Sequence, residues 1–254
     1  MKTLIFFTLA FVARAASGPD HALFSQVLAA HVKDGRVDYV ALKSDSRLPR
    51  YLAQLAATDP ARLAGDEARL ALWLNAYNAY TLQLIVERQP ASSIKDIGTG
   101  GIVLGSLLKT TAWDIRFAEV GGKKYTLNEI EHEIIRQKFK DARAHFALNC
   151  ASGSCPILRP EAYEPGKLNA QLDDQARQFL GDTGRNRFDL ATKTAWLSAI
   201  FSWYRNDFGQ DERAMLLVAA KYSPPEVRRS IEADPTAWTV KHLAYNWTLN
   251  AAKK

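Results

Sequence analysis

The chain has 254 residues, 47% hydrophobic and 24% charged, an ordinary globular composition with room for one sizeable core. The net charge is +6, yet Lys and Arg are scattered among Asp and Glu with no basic run. That excludes a nucleic-acid footprint and leaves a solvated basic surface with a weak preference for anions.

The N-terminus has the layout of a secretory signal peptide over residues 1–15. Met1-Lys2 is a short positive region, Thr3 to Val12 an apolar run, and Ala13-Arg14-Ala15 a small-residue cleavage site. The run is too short to span a bilayer, which takes about 20 residues. The alternative is a buried N-terminal helix. No later segment is apolar and long enough to cross a membrane. The expectation is an exported bacterial protein, periplasmic or secreted, with no stable membrane insertion once the signal is removed.

The elements then follow in order. Asp20 to Val32 has helical apolar spacing, and Lys33 to Arg36 is a turn. Val37 to Val40 is a short strand or the start of a helix. Leu48 to Ala57 is a second helix. Asp66 to Arg88 is the longest, apolar on every side from Leu70 to Val86 and closed by Pro90. A helix with that pattern is buried at the centre of the fold. Its exceptions are Asn75 and Asn78, three apart and so on one face. Buried amides must be hydrogen-bonded. They either tie down a neighbouring backbone or point into a cleft and orient a substrate or catalytic group.

Thr99-Gly100-Gly101 lacks the Lys-Ser/Thr ending of a phosphate loop and is expected to be a surface loop. Trp113 to Val120 and Lys123 to Tyr125 flank Gly121-Gly122, a hairpin signal. Thr126-Leu127-Asn128-Glu129 is a capping box that starts a helix. At 100° per residue Glu131 falls in that helix's apolar arc and His132 on the far side. A carboxylate on a core face is either paired or tuned as an acid or base.

Asp141 to Asn149 is expected to be a strand ending in a small-residue turn, Cys150 to Pro156, which holds both cysteines. Helices are expected over 167–180, from Ser198 through Phe208, over 212–221 and over 225–232, with a hairpin of 186–190 and 195–197 between the first two. The tail, Leu243 to Asn250, is extended and aromatic, a late strand or a strap over the core. The sum is a single α+β domain over 20–254: a long buried central helix, a small mostly antiparallel sheet and surrounding helices.

Two chemistries compete for the turn, with a metal site ligated by His132, His145, Cys150 and Cys155 a weaker third. Cys150 could be a nucleophile, with His145 or His132 as base, Asn75, Asn78 or Glu131 as orienting group, and the backbone N–H groups of the turn around Ser152 and Ser154 holding an oxyanion. On a strand, His145 and Cys150 face opposite ways, which favours His132. Alternatively, Cys150 and Cys155 form a disulfide, worth about 2 kcal/mol or less for so short a loop. Trp73 and Tyr77 would line the cleft for a small-molecule or peptide ligand. No recognised spacing of His and Cys supports a metal, and no cofactor motif is present.

The residues Ala71 to Ala79, Ser93 to Ile97, Ile130-Glu131-His132, His145 to Ser152 and Ser154-Cys155-Pro156, in that order, resemble the domain of unknown function 547 family, over roughly residues 35 to 205. The Tyr245-Asn246-Trp247 tail is similar too. The resemblance implies a bacterial exported protein in many cases and little about activity. A more distant likeness to papain- and transglutaminase-like Cys-His enzymes would put the Trp73 helix in the place of their nucleophile helix, where Asn75 and Asn78 stand instead of Cys.

Overall fold

The computed structural model describes residues 18–99 and 110–252. The expected signal peptide and Gly100-Gly101 lie outside them.

The centre of the molecule is the helix Gly65–Arg88. Asp66 and Glu67 sit in its first turn and Arg88 in its last, each complementing the helix dipole. Gln89 ends it in a left-handed conformation just before Pro90. Every residue from Leu70 to Leu82 is buried. His21–His31 and Arg47–Ala57 pack on one another, and Arg47–Ala57 packs on the central helix. The expected strand-or-helix segment is both: Arg36–Val37 is a strand and Tyr39–Leu42 a helical turn.

The capping box forms as expected. Glu129 N–H donates to Thr126 Oγ1 at 3.0 Å, and Thr126 N–H to Glu129 Oε2 at 2.8 Å. The element it starts, Glu129–Phe139, is a π-helix packed on the central helix. Its wider i→i+5 turn overturns the 100° projection that sent His132 away from Glu131. Both side chains face the same cavity.

The expected strand over 141–149 is also corrected. Ala144–Ala147 is a single helical turn. Asp141 starts it, accepting Arg143 N–H on its carboxylate (2.9 Å) and Ala144 N–H on its carbonyl (3.0 Å). Strand alternation therefore does not separate His145 from Cys150.

The sheets are small. Ala118–Val120 pairs with Lys123–Tyr125 across Gly121-Gly122, whose φ values of 60° and 73° suit a tight hairpin turn. Arg187–Asp189 and Thr194–Leu197 form the second expected hairpin, and Thr239–His242 adds in parallel on its far side. Two further two-stranded ladders complete the sheets among the described residues. The tail beyond His242 is the expected strap. Gly153 N–H donates to Thr248 O, Ser154 N–H to Asn246 O, and Asn250 N–H to Ala151 O.

Two apolar clusters make up the core. One surrounds the central helix; the other joins Phe146, Phe179, Phe201 and Phe208 to Glu212–Tyr222 and Pro225–Ala233. The cysteine turn lies at the seam between them. No described helix is long and apolar enough to cross a membrane.

Candidate functional site

A cavity of about 220 Å³ opens at this seam. Cys150, Cys155, His145, Glu131, His132 and Tyr77 all line it, with an aromatic wall of Trp113, Trp203, Tyr204, Tyr245 and Trp247. Trp203, Tyr245 and Trp247 pack on one another with centroids 4.6–5.6 Å apart, Trp203 and Trp247 stacked and Tyr245 tilted against both.

The asparagines hold the turn from below. Asn78 Nδ2 donates to Ala147 O at 3.0 Å, and Asn149 N–H donates to Asn78 Oδ1 at 2.9 Å. Asn75 does the same for Tyr163, with 2.8 Å and 2.9 Å bonds to its carbonyl and N–H. Both amides are therefore engaged by backbone, as the first of their two expected roles requires, and neither lines the cavity. Asn149 continues the scaffold, donating to Pro156 O and accepting from Ala151 N–H. Ala151, fully buried, is held at φ 60°, a left-handed conformation that L residues other than Gly rarely adopt.

The sulfurs of Cys150 and Cys155 lie at disulfide distance, with their Cα atoms 6.2 Å apart. Cys150 is half-buried and Cys155 fully buried. The Tyr245 hydroxyl lies 3.3 Å from Cys150 Sγ and donates to Cys155 Sγ at 3.1 Å. Cys150 N–H also points at Cys155 Sγ, at 3.0 Å. Arg185 donates to Cys155 O at 2.6 Å and to Gly153 O at 3.1 Å, bringing a positive charge to the turn. Ser152 is buried and the Ser154 hydroxyl accepts the strap's Asn246 N–H; neither lines the cavity. Trp73 is in another cavity, edge-on to Tyr125.

The histidines are placed by residues the motifs did not point to. His145 Nε2 donates to Asp207 Oδ2 at 2.7 Å, and its ring stacks on Tyr204 at 4.0 Å. Asp207 also accepts from Arg136, at 2.6 and 3.1 Å. The His145 bond, reinforced by Arg136, holds the Asp207 carboxyl well below the usual carboxylate range against the opposing effect of burial. With Nε2 donating, the lone pair of a neutral His145 sits on Nδ1. His132 is the reverse case. Arg136 Nη1 lies 2.9 Å from His132 Nδ1, and a guanidinium only donates. Nδ1 must accept, so Nε2 carries the proton and His132 is a hydrogen-bond donor to the cavity.

Glu131 is buried, and the Tyr77 and Tyr204 hydroxyls both turn to its carboxylate. Burial, and then the Glu131 charge, push Tyr77 and Tyr204 far above the ordinary tyrosine value, so both remain protonated donors. Burial does the same for Tyr245, with Arg185 pulling the other way.

Of the expected site residues, the structure therefore gathers Cys150, Cys155, His145, His132, Glu131 and Tyr77 around one cavity. It places Asn75, Asn78, Ser152 and Ser154 in the supporting backbone network and Trp73 elsewhere. Asp207, Arg136, Tyr204 and Tyr245 are the additions. Arg136 was discoverable as the i+4 neighbour of His132 on one helix. Among the described residues no group of three or more His, Cys, Asp or Glu is arranged to hold a metal ion.

No curated protein and no solved structure matches the chain. A family model described as "Protein of unknown function, DUF547" matches residues 60–180, a segment that contains the central helix, the π-helix and the cysteine turn but not Asp207 or Tyr245. Over that segment, just under half of its length, the chain is similar to the DUF547 family.

Proposed function

We propose that the seam cavity is the active site of an exported cysteine-dependent hydrolase or acyltransferase acting on peptide or amide substrates. The observation that carries this reading is that Cys150 and an imidazole oriented by a carboxylate, His145 with Asp207, line one cavity. Nucleophile, base and orienting group are the three parts a thiol enzyme needs. In the reduced protein His145 Nδ1 accepts the Cys150 proton, the thiolate adds to the acyl carbon, and the proton passes to the departing amine. Water or a second amine then releases the acyl group. His132 Nε2–H is the donor available to the substrate carbonyl, the single Tyr77 O–H being turned to the Glu131 carboxylate.

The test is acylation of the reduced protein by 4-nitrophenyl acetate and a panel of aminoacyl 4-nitroanilides, read by intact mass. A single acyl adduct that disappears in Cys150→Ala and falls at least tenfold in Asp207→Asn supports the reading. Acylation that survives Cys150→Ala overturns it.

A second reading has its own observation. With the sulfurs at disulfide distance and an aromatic wall beside them, the cavity also suits a binding protein whose loop is stapled by Cys150–Cys155. That reading expects no acyl adduct before or after reduction.

A further inference from the structure

We infer that Cys150 and Cys155 form a reversible redox couple that exchanges with external thiols, Cys150 being the sulfur attacked and Cys155 the leaving thiolate. The inference does not depend on acyl transfer.

The two sulfurs are not equivalent. Cys150 is half-buried on the cavity, open to an incoming thiol, whereas Cys155 is 1% exposed. Exchange depends on which sulfur can be reached and on how well the other leaves as thiolate. Cys155 Sγ is the better leaving group, because two donors aim at it, the Tyr245 hydroxyl and Cys150 N–H. Arg185 adds a positive charge through its bonds to Cys155 O and Gly153 O. A thiolate forming at Cys155 meets donors already in place, which is the arrangement that lowers a thiol's pKa.

The turn also keeps its shape without the bridge. Asn149 spans it internally, the strap holds Gly153 and Ser154, and Arg185 holds two of its carbonyls. After reduction the two thiols remain neighbours and can close again.

With a dithiol as reductant the step balances. One thiolate of the dithiol attacks Cys150 Sγ, forming a mixed disulfide, and the electron pair of the broken S–S bond leaves on Cys155. The second thiol of the reductant attacks its own sulfur in the mixed disulfide and releases Cys150. The dithiol ends as its disulfide, two electrons have passed to the protein, and the two protons end on Cys150 and Cys155. The reverse sequence oxidises a substrate dithiol.

The experiment uses the full mature chain, native throughout, with no acyl substrate. Dithiothreitol should convert it from no alkylatable thiol to two without change in its circular dichroism, and Tyr245→Phe should slow that reduction at least threefold. With oxidised glutathione, Cys155→Ser should gain one glutathione on Cys150. Cys150→Ser should modify Cys155 at least tenfold more slowly. A bridge that yields only when the chain unfolds, equal modification of the two cysteines, or a Tyr245→Phe protein reduced as fast as wild type overturns the inference. Equal modification of the two cysteines, or a Tyr245→Phe protein reduced as fast as wild type, leaves the acyl-transfer test standing. A bridge that yields only on unfolding removes the reduced native protein that acyl transfer needs and so overturns both, whereas failure of acyl transfer leaves the thiol-exchange result untouched.

Discussion

His145 and Asp207 meet at 2.7 Å across the seam between the two apolar clusters, although they are 62 residues apart in sequence. One lies on the helical turn that leads into the cysteine loop, the other on the helical turn Arg205–Phe208. The bond fixes which imidazole nitrogen is free, and so ties the chemistry of the cavity to the packing of its far wall.

Asp207→Ala should therefore destabilise the protein by about 1–2 kcal/mol, since it removes three charge-assisted bonds, one from His145 and two from Arg136, to a partly exposed carboxylate. The pH window follows from the sign of the shift. The folded carboxyl titrates below its unfolded value, so its contribution is complete above about pH 4 and is lost as the pH falls below that. Urea titrations of wild type and variant at pH 7 and pH 3 should show a difference that shrinks at the lower pH. A constant difference would mean the carboxylate charge is not what is lost.

Asn78→Ala should cost about 2–4 kcal/mol, because the buried Ala147 carbonyl and Asn149 N–H both lose their partner. Asn78→Asp keeps the acceptor for Asn149 but faces Ala147 O with a second oxygen, so it should rescue little. Chemical denaturation measures both. A loss below about 1 kcal/mol for the alanine variant would show that water replaces the amide.

What the sequence disclosed divides along physical lines. The central helix was legible because its apolar residues run all round it, and the hairpins and capping box because short-range chemistry fixes them. The run His145-Phe146-Ala147-Leu148 misled, since so short a stretch, with three apolar residues after the histidine, fits a strand and a helical turn equally. The Asp141 carboxylate that decides the matter acts through geometry that no periodicity shows. Glu131 and His132 were singled out, but their joint placement depends on the π-helix, whose extra residue per turn brings the step between neighbours below the assumed 100°. Asp207 left no local signal. It is one acidic residue on a short polar turn, and only the packing of Phe208 and Tyr204 against His145 gives it a role. Tyr245 was visible in an aromatic tail, yet its approach to both sulfurs depends on a strap bonded residue by residue to the turn.

His21 gives a pH dependence in a different window. Its Nδ1 lies 2.8 Å from the Tyr51 hydroxyl and 3.0 Å from Asn75 Nδ2, and burial lowers its pKa to about 4 against the weaker pull of Glu164 and Asp20. Protonating Nδ1 would set N–H against N–H at Asn75. Below about pH 6.5 the unfolded chain gains a proton that the folded chain takes up only near pH 4, so stability is full above pH 6.5 and declines between those values. The decline should be about 2 kcal/mol after allowance for partial exposure. His21→Gln should flatten it. Equal slopes in the two proteins between pH 6.5 and 4 would remove His21 as the cause.

Ala151 is the test of how tightly the turn is specified. Its left-handed φ of 60° sits between Asn149, which accepts its N–H, and Asn250, whose N–H its carbonyl accepts. Ala151→Gly relieves about 1 kcal/mol of backbone strain but loosens the unfolded chain by a similar amount, so its stability should stay within about 0.5 kcal/mol of wild type. Ala151→Val puts a β-branched side chain at a positive φ in a fully buried site and should cost about 3 kcal/mol or more. Denaturation at pH 7 checks the pair. If the valine variant were as stable as the glycine one, the turn would have another conformation open to it, and the fixed spacing of Cys150 and Cys155 could no longer be ascribed to the backbone around them.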